Sequence, residues 1–225
     1  MAEIVLALDL PSGREALALV ERLPRLTWVK VGPVLFGREG PALVRACKDR
    51  GLQVFLDLKW HDIPTTVAGA VAAARDLGIT MATVHCLGGP RMLEAAVRAA
   101  GDLALVGVNV LTSHDAGELA DVLGRGVPDL AFEAERLARA ALRAGLRGVV
   151  ASGHELALLR EALGTEPWLV VPGIRLPGDA VGDQARVTEP EQAVRLGASH
   201  LVVGRTITAA AEPAVAWRRL QEAVA

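Results

Sequence analysis

Short apolar stretches alternate with helical ones along the whole of this 225-residue chain, and that alternation rules out most folds before any single residue is considered. The strands read as Ile4–Leu8, Thr27–Val31, Gln53–Leu58, Ile79–Val84, Leu103–Val110, Leu146–Ala151, Trp168–Val171 and His200–Val203. They are near-continuous apolar runs, the signature of parallel strands buried on both faces. Between them the spacing predicts helices over Arg14–Leu23, Pro41–Arg50, Val67–Leu77, Arg91–Ala100, Ala116–Leu123, Phe132–Ala144, Glu155–Leu163 and Pro190–Leu196, and a last one over about Glu212–Val224. In this reading Gly32-Pro33 closes the second strand, Pro41 opens the helix after it and Gly51 stops that helix. No linker interrupts the series. The pattern therefore predicts one α/β domain over residues 1–225, a closed (β/α)8 TIM barrel, with an open doubly wound sheet as the alternative.

Composition narrows the function classes. A net charge of −2 offers nothing to a polyanion or an anionic membrane, and 3% aromatic residues without a tyrosine leave no stacking platform for single-stranded nucleic acid. No apolar run is long enough to cross a bilayer and no basic leader precedes the first strand. Cys47 and Cys86 lack motif spacing, so the expectation is a soluble protein with two buried thiols in a reduced, cytoplasmic setting.

In a barrel of this kind the reacting groups gather at the carboxyl ends of the strands, where the loops share one mouth. Here those ends carry Asp9, Lys30, Asp57, Lys59, Thr112, Arg175, Gly204 and Arg205. The densest cluster is Asp57-Leu58-Lys59-Trp60-His61-Asp62-Ile63-Pro64. Strand alternation turns Asp57 and Lys59 to one face, Asp62 follows in the loop, and Pro64 discourages helix at Ile63. Carboxylates at Asp57 and Asp62 would favour the charged form of Lys59. A charged lysine suits proton donation or stabilisation of a developing anion better than imine formation. Asp57 would repel a substrate carboxylate forced against it, and loss of carbon dioxide relieves that repulsion. Lys30 would complete the array.

Gly204-Arg205, after the eighth strand, suits a phosphate: glycine lets backbone N–H groups approach and arginine grips with parallel hydrogen bonds. Gln184, in the glycine-rich stretch Gly173–Arg186, could close over it as a lid. The five histidines show no HxxxH or HxH pairing, so no metal is assigned, and His61 and His85 read as structural. Glu133-Glu135-Arg136-Arg139 reads as a charged helix face, and Trp60 and Trp168 as packing.

These residues, in this order, resemble the orotidine 5′-phosphate decarboxylase family over essentially the whole chain. Its Asp-x-Lys-x-x-Asp-Ile-Pro motif is matched at 57–64. Further matches are Leu8-Asp9, Val29-Lys30, Leu111-Thr112-Ser113, Pro172-Gly173-Ile174-Arg175, Gly182-Asp183-Gln184 and Val203-Gly204-Arg205-Thr206-Ile207-Thr208. The resemblance implies a homodimeric barrel converting orotidine 5′-phosphate to UMP without metal or organic cofactor. Lys59 would then be the proton donor, Asp57 would crowd the carboxylate and Lys30 would complete the network. Asp62 and Thr66 would act across the dimer interface. Asp9 and Lys30 would hold the ribose and Thr112-Ser113 the pyrimidine. Arg175, Gln184, Gly204 and Arg205 would bind the phosphate, with Pro172 lining the site. Two positions depart from the bacterial pattern: Thr65 replaces a common asparagine, and Thr188-Glu189-Pro190 lacks a common methionine. The competing readings are a magnesium-dependent sugar-phosphate enzyme of the same superfamily, a Schiff-base aldolase and a non-catalytic nucleotide-binding barrel.

Overall fold

Eight parallel strands close into a barrel in the order of the sequence, β1 pairing with both β2 and β8, in a computed structural model that describes residues 2–127, 129–179 and 187–224. The strands are β1 Glu3–Ala7, β2 Trp28–Val31, β3 Gln53–Trp60, β4 Met81–His85, β5 Ala104–Val108, β6 Gly148–Val150, β7 Trp168–Val171 and β8 His200–Val203. Outside them run α1 Gly13–Glu21, α2 Pro33–Lys48, α3 Pro64–Asp76, α4 Gly89–Ala100, α5 Ala116–Leu123 and α6 Leu130–Arg143. They are followed by α7 Leu156–Leu163, α8 Pro190–Arg195, the single turn α9 Arg205–Thr208 and α10 Pro213–Ala223. The expected closed (β/α)8 architecture is met. None of the described helices is long and apolar enough to cross a membrane.

Strand periodicity decides what faces the interior. Val5, Ala7, Trp28, Phe55, Met81 and Val106 pack together inside the barrel. Their neighbours Leu6, Val29, Leu56 and Ala82 turn the other way and meet the helices in the larger outer core. Asp9, Lys30, Asp57 and Thr83 each lie two residues beyond an inward-facing residue, which aims them at the barrel axis one layer higher. Cross-strand register staggers them: Lys30 lies opposite Ala7 and Phe55, a step below Asp9 and Asp57, and Phe55 lies opposite Met81.

The opposite end of the barrel is closed by aromatic rings. The buried His200 ring lies edge-on to Trp28 at 5.3 Å and tilted against Trp168 at 4.6 Å, while Arg147 covers the Trp168 ring at 5.3 Å. Each of the three rings belongs to the first residue of its strand, so together they plug the floor.

Two expectations are corrected. Helix α2 begins at Pro33, not Pro41: Gly32-Pro33 opens a helix because proline fits its first turn, where no N–H partner is needed. Gly40, at φ 58 and ψ −150, then breaks the helix and Pro41 restarts it, so only the second half matches the sequence pattern. The charged face of α6 is not wholly solvated either. Glu133 is 3% exposed and takes hydrogen bonds from Arg136 and Arg125 that hold its carboxyl below the usual range despite burial. Arg125 arrives from the α5–α6 connection, which a single-helix pattern cannot reveal. Glu135 and Arg139 form an ordinary i,i+4 surface pair.

Burial lowers the pKa of His200 from 6.5 to about 4, because its ring, packed between two indoles, is cut off from the water that would solvate its charged form. Between those two values the unfolded chain binds the proton and the folded one does not, so acidification favours unfolding. Urea midpoints are expected to fall as the pH is lowered through that window, and His200→Asn, which cannot titrate, should give a shallower slope.

Candidate active site

β3 runs two residues beyond its expected end at Leu58, and it does so irregularly. Its pairing with β4 shifts register between Leu56 and Trp60, and Lys59 inside the shift has a left-handed φ of 51. For a residue with a Cβ that conformation costs on the order of 1–2 kcal/mol. The Lys59 N–H donates to the Thr83 hydroxyl at 2.8 Å, and that hydroxyl donates in turn to Asp57 Oδ1 at 3.1 Å. A bulge held by a buried threonine, rather than plain alternation, therefore brings Lys59 back over Asp57.

The side chains form an alternating chain of charge. Lys59 Nζ lies 2.9 Å from both carboxylate oxygens of Asp57. Lys30 Nζ lies 3.6 Å from Asp57 Oδ2 and 3.1 Å from Asp9 Oδ1. Asp57 and Lys30 are mostly withdrawn from water, with 14% and 10% of their side chains exposed, so each depends on its charged partners rather than on solvent. Gly32 makes room for this: a Cβ there would sit 3.2 Å from Asp9 Oδ1 and 3.3 Å from Lys30 Nζ.

These groups line a cavity of about 470 Å³ at the carboxyl ends of the strands. Val108, Val150, Val170 and Val202 line it too, as do Thr112 and Pro172. Arg175, Gly204 and Arg205 supply a cationic region from the β7 and β8 loops. Arg175 is buried, and its Nη1 donates to the Ile174 carbonyl at 2.8 Å. A Cβ on Gly204 would meet Ala7 Cβ at 3.6 Å and Asp9 Oδ2 at 3.9 Å, both ordinary contacts. Packing does not demand glycine there; its bareness leaves the cavity wall open. The two feet of the following loop are joined, with Arg175 N–H donating to the Thr188 carbonyl and Thr188 N–H to the Gly173 carbonyl, each at 3.1 Å.

Asp9, Lys30, Asp57, Lys59, Thr112, Pro172, Arg175, Gly204 and Arg205 thus converge as the sequence suggests. Of the expected residues that are described, Ser113, Thr66 and Asp62 do not join them on the cavity wall. Ser113 is exposed beside it, Thr66 is exposed in the first turn of α3, and Gln184 lies outside the described residues. Asp62, expected next to Lys59, is exposed and forms no ion pair among the described residues; its Oδ1 accepts the N–H of Ile63 at 2.6 Å. The β3 bulge turns the chain outward at that point. Thr83 is the contributor that sequence reading missed, since a threonine inside a strand is unremarkable. Its signal was the only hydroxyl in an otherwise apolar β4 stretch, Met81-Ala82-Thr83-Val84.

Beside the charge chain, His61 stacks on His85 with ring centroids 5.4 Å apart. His85 Nδ1 accepts the Leu87 N–H at 3.3 Å. Burial, assisted by His61, Lys59 and His114, lowers its pKa to about 4, so near neutral pH His85 adds no cation to this end of the site. Among the described residues no three His, Cys, Asp or Glu side chains converge in a way that could hold a metal ion.

Residues 2–220 match the model of the orotidine 5′-phosphate decarboxylase / HUMPS family. The chain belongs to that family. It is 51% identical to the orotidine 5′-phosphate decarboxylase of Halorhodospira halophila, over 95% of this chain and 92% of the relative. It is 48% identical to the protein of the same description from Alkalilimnicola ehrlichii, over 100% of this chain and 97% of the relative. The crystal structure of orotidine 5′-phosphate decarboxylase from Lactobacillus acidophilus superimposes with a TM-score of 0.88 at 33% identity, covering 100% of this chain and 99% of that one.

Thr83→Val keeps the shape of the side chain but removes the acceptor of the Lys59 N–H and a donor to Asp57. The expected cost is about 1–3 kcal/mol in urea denaturation, the penalty for buried groups left without partners.

Proposed function

We propose that this protein decarboxylates orotidine 5′-phosphate to UMP, and that it does so as a homodimer without metal or organic cofactor. The observation that carries the reading is that one cavity is lined both by the paired Asp and Lys of β1–β3 and by arginines from the loops after β7 and β8, with valines on its wall. A nucleotide carrying a phosphate and a ring carboxylate has a group for each set. In this reading Arg175, Gly204, Arg205 and Gln184 take the phosphate, Asp9 and Lys30 the ribose, and Thr112-Ser113 the pyrimidine edge, beside Pro172.

The substrate carboxylate then lies against Asp57, an anion already committed to two ammonium groups. Breaking the C6–carboxylate bond removes that repulsion as carbon dioxide departs and leaves the electron pair on C6. Lys59 Nζ supplies the proton that forms C6–H and is reprotonated from solvent. Binding energy at the distant phosphate aligns the reacting end, so the enzyme gains rate from groups that never touch C6.

Asp62 and Thr66 are assigned to the site of a second subunit. The support is that Asp62 makes no ion pair within the described chain while its neighbour Ile63 is 64% exposed, an apolar residue suited to burial against a partner. The two thiols are both buried and unbridged, which suits a reducing cytoplasm.

Purified protein mixed with orotidine 5′-phosphate and a chelator is expected to turn over at the untreated rate, followed by pyrimidine absorbance. Activity that requires magnesium would instead favour the sugar-phosphate branch. Lys59→Ala should lower kcat by about 10²–10⁴-fold while UMP still binds, as expected on loss of a proton donor. Mixing inactive Lys59→Ala and Asp62→Ala subunits should restore about a quarter of wild-type activity, because half the dimers then contain one intact site. No restoration would remove Asp62 from the partner's site.

A further inference from the structure

The two arginines of the phosphate end sit on different loops, Arg175 after β7 and Arg205 after β8, and like charges do not hold a fixed spacing on their own. A side-chain bridge joins those loops, from the residue after Arg205 to the fourth residue after Arg175. Thr206, directly after Arg205, is 7% exposed and donates its hydroxyl to Asp179 Oδ2 at 2.6 Å. The Ile174 carbonyl is a second, longer acceptor at 3.3 Å, and the same carbonyl receives Arg175 Nη1. Asp179 is in turn tied to the residue after Arg175: its Oδ2 accepts the Leu176 N–H and its own N–H donates to the Leu176 carbonyl, each at 3.1 Å. Ile174 to Asp179 is thereby folded into a compact turn whose clasp lies on the other loop.

We propose that Thr206 and Asp179 are positioning residues that set the separation of Arg175 and Arg205 and so tune affinity for the phosphate of the substrate. The inference rests on the preceding assignment of the phosphate to these arginines, and deepens it. Neither Thr206 nor Asp179 lines the cavity, so their effect reaches the ligand through the backbone of the neighbouring arginines. Asp179 is itself exposed, and water can partly replace the lost hydroxyl, which keeps the expected effect moderate.

The variants are Thr206→Val, which keeps shape and loses the donor, and Thr206→Ser, which keeps the donor. Thr206→Val is expected to raise KM for orotidine 5′-phosphate about fivefold, with kcat unchanged and calorimetric UMP affinity weakened to the same extent. Thr206→Ser should restore both values. Wild-type KM and UMP affinity in Thr206→Val, or an equal defect in Thr206→Ser, would overturn the positioning role while leaving the decarboxylase reading intact. A wild-type protein that binds neither UMP nor orotidine 5′-phosphate would overturn both.

Discussion

Asp57 is the anion on which this structure turns. It stands between two ammonium groups, touching Lys59 through both oxygens and Lys30 through one, and little of it is left to water. A carboxylate in that position cannot be removed cheaply, because the two cations would then face each other unpaired. The cluster is consequently a rigid electrostatic object built before any substrate arrives. Preorganised charge of this kind is effective because nothing has to reorient when charge develops in the reaction.

The barrel supplies that object through simple periodicity and one deliberate break in it. Alternation along β1, β2 and β3 turns Asp9, Lys30 and Asp57 toward one cavity above an apolar floor. Lys59 could not reach Asp57 so well from a regular strand, and its left-handed backbone is tolerated because Thr83 satisfies the displaced N–H. Strain at Lys59 and burial of a hydroxyl at Thr83 are two halves of the same arrangement. Strained backbone held by its surroundings is a common property of sites that act on bound molecules.

Much of this was legible in the sequence, for reasons that also explain what was not. Buried parallel strands write themselves as apolar runs, and charges are conspicuous at their tips, so Asp9, Lys30, Asp57, Lys59, Arg175 and Arg205 stood out. Helix α2 was half missed because Gly32-Pro33 serves equally well to end a strand or to begin a helix, and only the neighbours decide. Thr83 was missed because its β-branched side chain fits a strand whether or not its hydroxyl does anything. Glu133 looked solvated because the arginine that encloses it comes from another segment. Asp62 was expected beside Lys59 by proximity in sequence, but the turn after the bulge carries it outward. In each case the deciding contact was made by a residue distant in the chain or by a backbone irregularity, and neither leaves a local pattern.

The joined feet of the loop after β7 carry a consequence for how such chains can diverge. Gly173, Arg175 and Thr188 fix both ends of the excursion to each other through backbone hydrogen bonds, independently of the side chains between them. Closing entropy grows only slowly with the length of a loop so anchored, by about 0.6 kcal/mol for each doubling. Relatives can therefore lengthen, shorten or rewrite the chain between Arg175 and Thr188 without disturbing the strands beneath, and one barrel can carry many versions of that segment.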